Sequence, residues 1–131
     1  MSLTQRVTVG TSEPDLVVEA EAVRIGTDVL VYVWGGTRPH IGAVAAAVPR
    51  PSLADGDRTS ATASVLTYPG HKEDSVVKSM AEALAAALDT NVVVTAGIHW
   101  DGLDQGSIAT IVSRCREVTE LLIRGLKGEP R

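Results

Sequence analysis

Apolar and polar residues alternate along LVVEAEAVRI, residues 16–25, with Val17, Glu19 and Glu21 set against Leu16, Val18 and Ala20. A period of two predicts a strand with one wet face. Residues 5–10 read as another strand, and the two segments, 5–10 and 15–25, belong toward a sheet edge. Gly26-Thr27 supplies a tight hairpin turn into DVLVYVW, residues 28–34, which is apolar on both faces as a central strand is. It stops at Gly35-Gly36. IGAVAAAV (41–48) and SATASVLTY (60–68) give two more strands, and the Pro, Gly, Ser and Asp content of PRPSLADGDRT between them marks an exposed loop. Val76, Val77, Met80, Ala83, Leu84 and Leu88 follow helical spacing. They predict a helix over 72–88, with Glu73 and Asp74 early in it, where the helix dipole favours acids. VVVTAGI (92–98) reads as a buried strand. Ile108, Ile111, Val112, Cys115, Val118 and Leu122 form a second helical stripe, 107–124, with Asp104 placed to cap it and a frayed tail expected from Gly125.

These elements predict an α+β member of the broad α/β class: a single mixed, largely antiparallel sheet of five to six strands with two helices on one face. One domain over 1–131, with 125–131 as a flexible tail, suits 131 residues that are 44% hydrophobic. The net charge of −4 comes from acids and bases mixed along the chain, so no basic stripe exists to neutralise a row of phosphates. Nucleic acid is therefore not an expected partner. Neither is a membrane, because the longest apolar runs (41–48 and 91–98) fall far short of the roughly 20 residues a spanning helix needs. The single cysteine, Cys115, has no partner for an internal disulfide and sits in an apolar stripe, which points to core packing. With no signal-like start, a cytoplasmic protein is expected.

The chain has three histidines, in TRPHIGAV (His40), PGHKEDSVV (His71) and TAGIHWDG (His99). If 28–34 and 41–48 form a hairpin, the end of the first and the start of the second share one sheet edge, and His40 lies there. Strand 60–68 returns antiparallel and ends at Tyr68 on that edge, directly before His71. The crossover helix then brings 92–98 back in the same direction, so His99 emerges there too. Trp34, Tyr68 and Trp100 fall at the same strand ends, with Tyr32 one pleat step behind Trp34, and glycines (Gly35, Gly36, Gly42, Gly70, Gly97, Gly102) surround them. Missing side chains there let a ligand approach the backbone. Polar groups converging in an aromatic setting, outside the carboxyl ends of strands, are the expected form of a binding pocket.

Two chemistries fit such a rim. His40, His71 and His99, with Asp101, offer ligands for a divalent metal in a small metal-dependent hydrolase or lyase, although no local motif such as HExxH supports it. Alternatively, Lys72 and the backbone N–H groups opening helix 72–88 receive a phosphate, with Arg38 adding charge, while tryptophan or tyrosine rings cover a flat heterocycle. Neither GxGxxG nor GxxxxGK[ST] is present, which excludes dinucleotide and P-loop signatures. Ser64 and Ser75 are singled out as nucleophiles by nothing beyond position. His99 with Asp101 is the best acid–base pair if the chain is catalytic.

The strings GGTRPHIGAV, YPGHKEDSV and GIHWDG, in this order, resemble those of the LpdD-like family, the small D subunits associated with UbiD-type non-oxidative hydroxyarylic acid decarboxylases. The likeness covers about residues 15–123, with Gly102 standing where the family pattern has a small polar residue. It implies a non-catalytic accessory protein that binds prenylated FMN and helps deliver it to a UbiD-type decarboxylase in aromatic acid metabolism. It also implies a fold related to proteasome-assembly chaperones and a homodimer. The motif positions are Gly35, Gly36, Pro39, His40, Gly42, Gly70, His71, His99 and Asp101; with Trp34, Arg38, Tyr68, Lys72 and Trp100 they make the expected flavin-binding set. Two helices cover only one sheet face, which independently calls for a partner on the other.

Overall fold

The computed structural model of the chain describes residues 5–68 and 73–130. Along them run β1 (Arg6–Gly10), β2 (Val18–Ile25), β3 (Asp28–Gly36), β4 (Ala43–Pro51), β5 (Thr59–Thr67), α1 (Asp74–Leu88), β6 (Val92–His99) and α2 (Gln105–Leu126). The strands form one sheet in the order β1-β2-β3-β6-β4-β5. Neighbours are antiparallel except β3 and β6, which run parallel. The predicted class, a mixed and mostly antiparallel sheet with two helices, is the observed one.

The expected pairing of 28–34 with 41–48 is not made. β6 lies between β3 and β4 and is hydrogen-bonded to both. The side chains account for this order. β3 and β6 carry the valines that fill the middle of the core (Val29, Val31, Val33, Val92, Val94), whereas β4 and β5 turn alanines toward α1 (Ala43, Ala45, Ala47, Ala61). Ala81 and Ala85 of α1 are also fully buried, so small residues on both layers let that helix lie close over β4 and β5. Strand directions are unaffected by the reordering: β3, β5 and β6 end, and β4 begins, at one rim of the sheet.

The register places Ala20, Val33, Ala96 and Ala43 in one row on the helix-covered face. Val77 and Leu84 of α1 and Val118 and Leu122 of α2 complete the core above it. The opposite face carries Glu21, Tyr32, Thr95, Val44 and Leu66 in a row, and neither helix packs on it. Leu66 and Val48 there are 61% and 58% exposed.

The Gly26-Thr27 turn forms as predicted, with Gly26 in the left-handed region at φ 64°. β2 begins at Val18, later than residue 15, because Thr11 closes the connection ahead of it: Thr11 N donates to the Val18 carbonyl at 3.0 Å and Val18 N to Thr11 Oγ1 at 3.1 Å. Asp104 caps α2 through Oδ1, which accepts from Ser107 N at 2.7 Å, and that bond holds its carboxyl below the usual range. The helix runs on to Leu126, whose side chain is buried, where composition predicts a frayed tail from Gly125. Cys115 is buried in the core, and burial pushes its thiol up to about 12. No helix among the described residues is long and apolar enough to cross a membrane.

Candidate functional site

Because β6 separates β3 from β4, the chain leaving Gly36 must pass over the end of β6 before entering β4. Residues 37–42 make that crossing, and glycines let backbone meet backbone beneath it. A Cβ on Gly97 would lie 1.5 Å from the His40 carbonyl oxygen; one on Gly36, at φ 87°, would lie 1.9 Å from the His99 carbonyl oxygen. Thr37 N donates to the His99 carbonyl at 2.8 Å and Gly42 N to the Ala96 carbonyl at 2.9 Å. The crossing is thereby tied down at both ends.

Under the crossing lies Glu73, the residue that precedes α1. Its side chain makes no capping bond to the helix. It turns inward instead, 9% exposed, and Oε1 lies 3.0 Å from His40 Nε2 while accepting from Ile98 N at 3.3 Å. Oε2 is buried without a hydrogen-bond partner and fills the space above Gly42, where a Cβ would come within 2.2 Å of it. His40 Nδ1 donates to the Arg38 carbonyl at 2.8 Å. A carbonyl only accepts, so Nδ1 carries hydrogen, and one further proton must lie between Nε2 and Oε1 to keep two lone pairs from facing each other. One carboxylate thus joins the crossing loop, the end of β6 and the start of α1.

At the outer side of the rim, Arg38, His99 and Asp101 close a triangle. Arg38 Nη2 donates to Asp101 Oδ1 at 2.8 Å, and His99 Nε2 lies 2.8 Å from that oxygen and 2.9 Å from the same Arg38 nitrogen. In the ring plane Nε2 has either a hydrogen or a lone pair, so it serves Asp101 or Arg38 but not both. The His99 bond first, and Arg38 second, hold the Asp101 carboxyl below its usual range. All three side chains reach solvent.

Beside the triangle a cleft of about 430 Å³ is lined by Trp34, Gly35, Gly36, Thr37, Pro39 and Trp100, and on its far wall by Pro14, Leu16, Val17 and Glu19. Gly35 opens it, since a Cβ there would lie 2.9 Å from the Val17 carbonyl and 3.4 Å from the Trp100 ring. Tyr32 stacks on Trp34 from the open face, with centroids 5.9 Å apart and planes at 22°, and its hydroxyl donates to Glu21. That bond raises the phenol and lowers the carboxyl. Indole faces, glycine floors and an adjoining guanidinium suit a flat heterocycle with an anionic tail.

The model of the prenylated flavin chaperone LpdD-like domain matches residues 12–127, nearly the whole of the chain. The chain belongs to that family. It is 29% identical over 115 residues to Protein LpdD of Lactiplantibacillus plantarum, spanning 81% of this chain and 74% of that one. In fold it is similar to a chain of a crystal structure described as a novel chaperone complex for yeast 20S proteasome assembly, with a TM-score of 0.60, 14% identity, and coverage of 95% of this chain and 99% of that one.

For this LpdD-like chain, the structure brings Trp34, Gly35, Gly36, Arg38, Pro39, His99, Trp100 and Asp101 together around the cleft and triangle, with His40 and Gly42 in the crossing itself. Tyr68 lies on the same rim at the end of β5, three strands from β3, about 14 Å away at the usual strand spacing. Gly70, His71 and Lys72 lie outside the described residues. No group of three His, Cys, Asp or Glu side chains among the described residues is placed to hold a metal ion. His40 uses both nitrogens internally, and a guanidinium stands against His99 where a cation would have to approach. Sequence reasoning misses Glu73, whose position in a first turn reads as a dipole effect, and the wall from Pro14 to Glu19. Its one available signal for that wall is Pro14 before an alternating strand.

Proposed function

We propose that this chain is a non-catalytic accessory protein that binds prenylated FMN and hands it to a UbiD-type decarboxylase of aromatic acids. The observation that carries the reading is the cleft between Trp34 and Trp100 opening beside Arg38 and His99. The indoles would flank the flavin ring, Gly35 and Gly36 would admit it to the backbone, and Arg38 and His99 would meet its phosphate. Family membership supports the flavin as cargo. The solvent-facing site supports transfer, since a bound molecule there stays reachable by a second protein.

The open sheet face, with Tyr32, Val44, Val48 and Leu66 outward, supports a homodimer built on it. The buried lone thiol suits a reducing, cytoplasmic setting. Incubated with reduced prenylated FMN, the protein should carry flavin absorbance through gel filtration at twice the 13.7 kDa of one chain. The loaded protein should then activate cofactor-free decarboxylase. A protein peak without flavin sinks the cargo reading, and a monomeric mass sinks the dimer.

A further inference from the structure

We infer that Asp101 is an internal counter-ion, which occupies Arg38 and His99 in the absence of ligand and is displaced from them by a phosphate group. This rests on the flavin reading for the identity of the ligand, but its own footing is the triangle. Arg38 Nη2 and His99 Nε2 both lie within 2.8 Å of one Asp101 oxygen, and within 2.9 Å of each other. A single carboxylate oxygen therefore gathers two groups that otherwise present N–H donors to the rim. The arrangement is imperfect within itself, because Nε2 cannot donate to Asp101 and accept from Arg38 at once. A phosphate, with three oxygens where Asp101 offers one, gives the Arg38 guanidinium and an N–H on His99 Nε2 separate acceptors and relieves that conflict.

The surroundings favour exchange. Asp101 is 77% exposed on its side chain and Arg38 68%, so both swing aside without disturbing the core. The backbone beside them is tied, because Thr37 N donates to the His99 carbonyl at 2.8 Å. Asp101 stays ionised at neutral pH, with its carboxyl held low by the same two neighbours. Thr37 and Pro39, on either side of Arg38 in sequence, line the aromatic cleft, so an anion at the triangle and a ring in the cleft fit one molecule. A built-in competitor keeps capture weaker than the cationic pair alone would make it, which suits a carrier that must let go.

The test compares the chain with Asp101→Asn, which keeps the shape and removes the charge. FMN, riboflavin and inorganic phosphate serve as probes. Asp101→Asn should tighten FMN and phosphate about five- to tenfold at low salt, leave riboflavin unchanged, and lose the gain as salt rises. Arg38→Gln should weaken FMN toward the affinity of riboflavin. FMN binding that is unchanged or weaker in Asp101→Asn overturns the proposal, as does an equal gain for riboflavin. If neither protein binds a flavin, the cargo reading fails instead, and phosphate then decides: tighter binding by Asp101→Asn sustains the counter-ion, while equal or absent binding overturns it.

Discussion

Replacing Glu73 by alanine tests whether one buried carboxylate holds the rim together. The side chain is 11% exposed, so its bonds act largely shielded from water. Losing the charge-assisted bond to His40 costs about 2 kcal/mol, and leaving Ile98 N without its acceptor costs about 1–2 kcal/mol more. Against this, alanine removes a desolvated carboxylate whose Oε2 has no partner, a gain of about 1–2 kcal/mol. The net loss is about 2 kcal/mol. Unfolding entropy of about 2.1 cal/mol/K per residue gives about 0.28 kcal/mol/K for 131 residues, so the melting midpoint falls by about 7 °C. Urea unfolding should show the loss as a lower midpoint at unchanged slope. Glu73→Gln should lose about half as much, since an amide at the Oε1 position satisfies Ile98 N or a neutral His40, not both. The decisive assay is the double-mutant cycle with His40→Ala, which should return a coupling of about 1–2 kcal/mol. Additivity within about 0.3 kcal/mol would refute the strut.

Two further substitutions and one titration bear on the fold around it. Gly97→Ala puts a methyl 1.5 Å from the His40 carbonyl and should cost about 3 kcal/mol or more by urea unfolding, whereas Gly106→Ala, with ordinary contact at 3.6 Å, should stabilise α2 by about 0.5 kcal/mol. Equal effects would show that the crossing does not press on β6. Cys115, with its thiol raised from 9.0 to about 12, should resist alkylation in the folded protein at pH 8 and react once unfolded. The sign for stability follows: the unfolded thiol ionises first, so this contribution is intact below about pH 9 and falls as pH climbs toward 12. Rapid native alkylation would place the thiol outside the core.

The sequence read as a pattern located the strands and their directions because alternation reports which face is wet. It did not report neighbours. VVVTAGI and DVLVYVW both carry valine-rich apolar runs, and their shared need for a central place put β6 beside β3, a clue that the short loop between 34 and 41 hid by suggesting a hairpin. Asp104 was legible because a cap depends on residues two or three positions away. Glu73 was not, since its burial depends on a loop crossing from 33 positions earlier. The rim itself follows from strand direction alone, which is why Trp34, His40, His99 and Trp100 could be assigned to it. Their separation into a buried strut and an open triangle needed the crossing, and Tyr68 shows that a common rim is wider than one pocket.

Trp34 and Trp100 are the only tryptophans, and both line the cleft. Their fluorescence therefore reads the proposed site directly during a titration with reduced prenylated FMN. Saturable quenching of most of the emission at one flavin per chain is expected, with Trp34→Ala and Trp100→Ala each weakening retention. Flavin retained at full stoichiometry while both indoles keep their emission would contradict it.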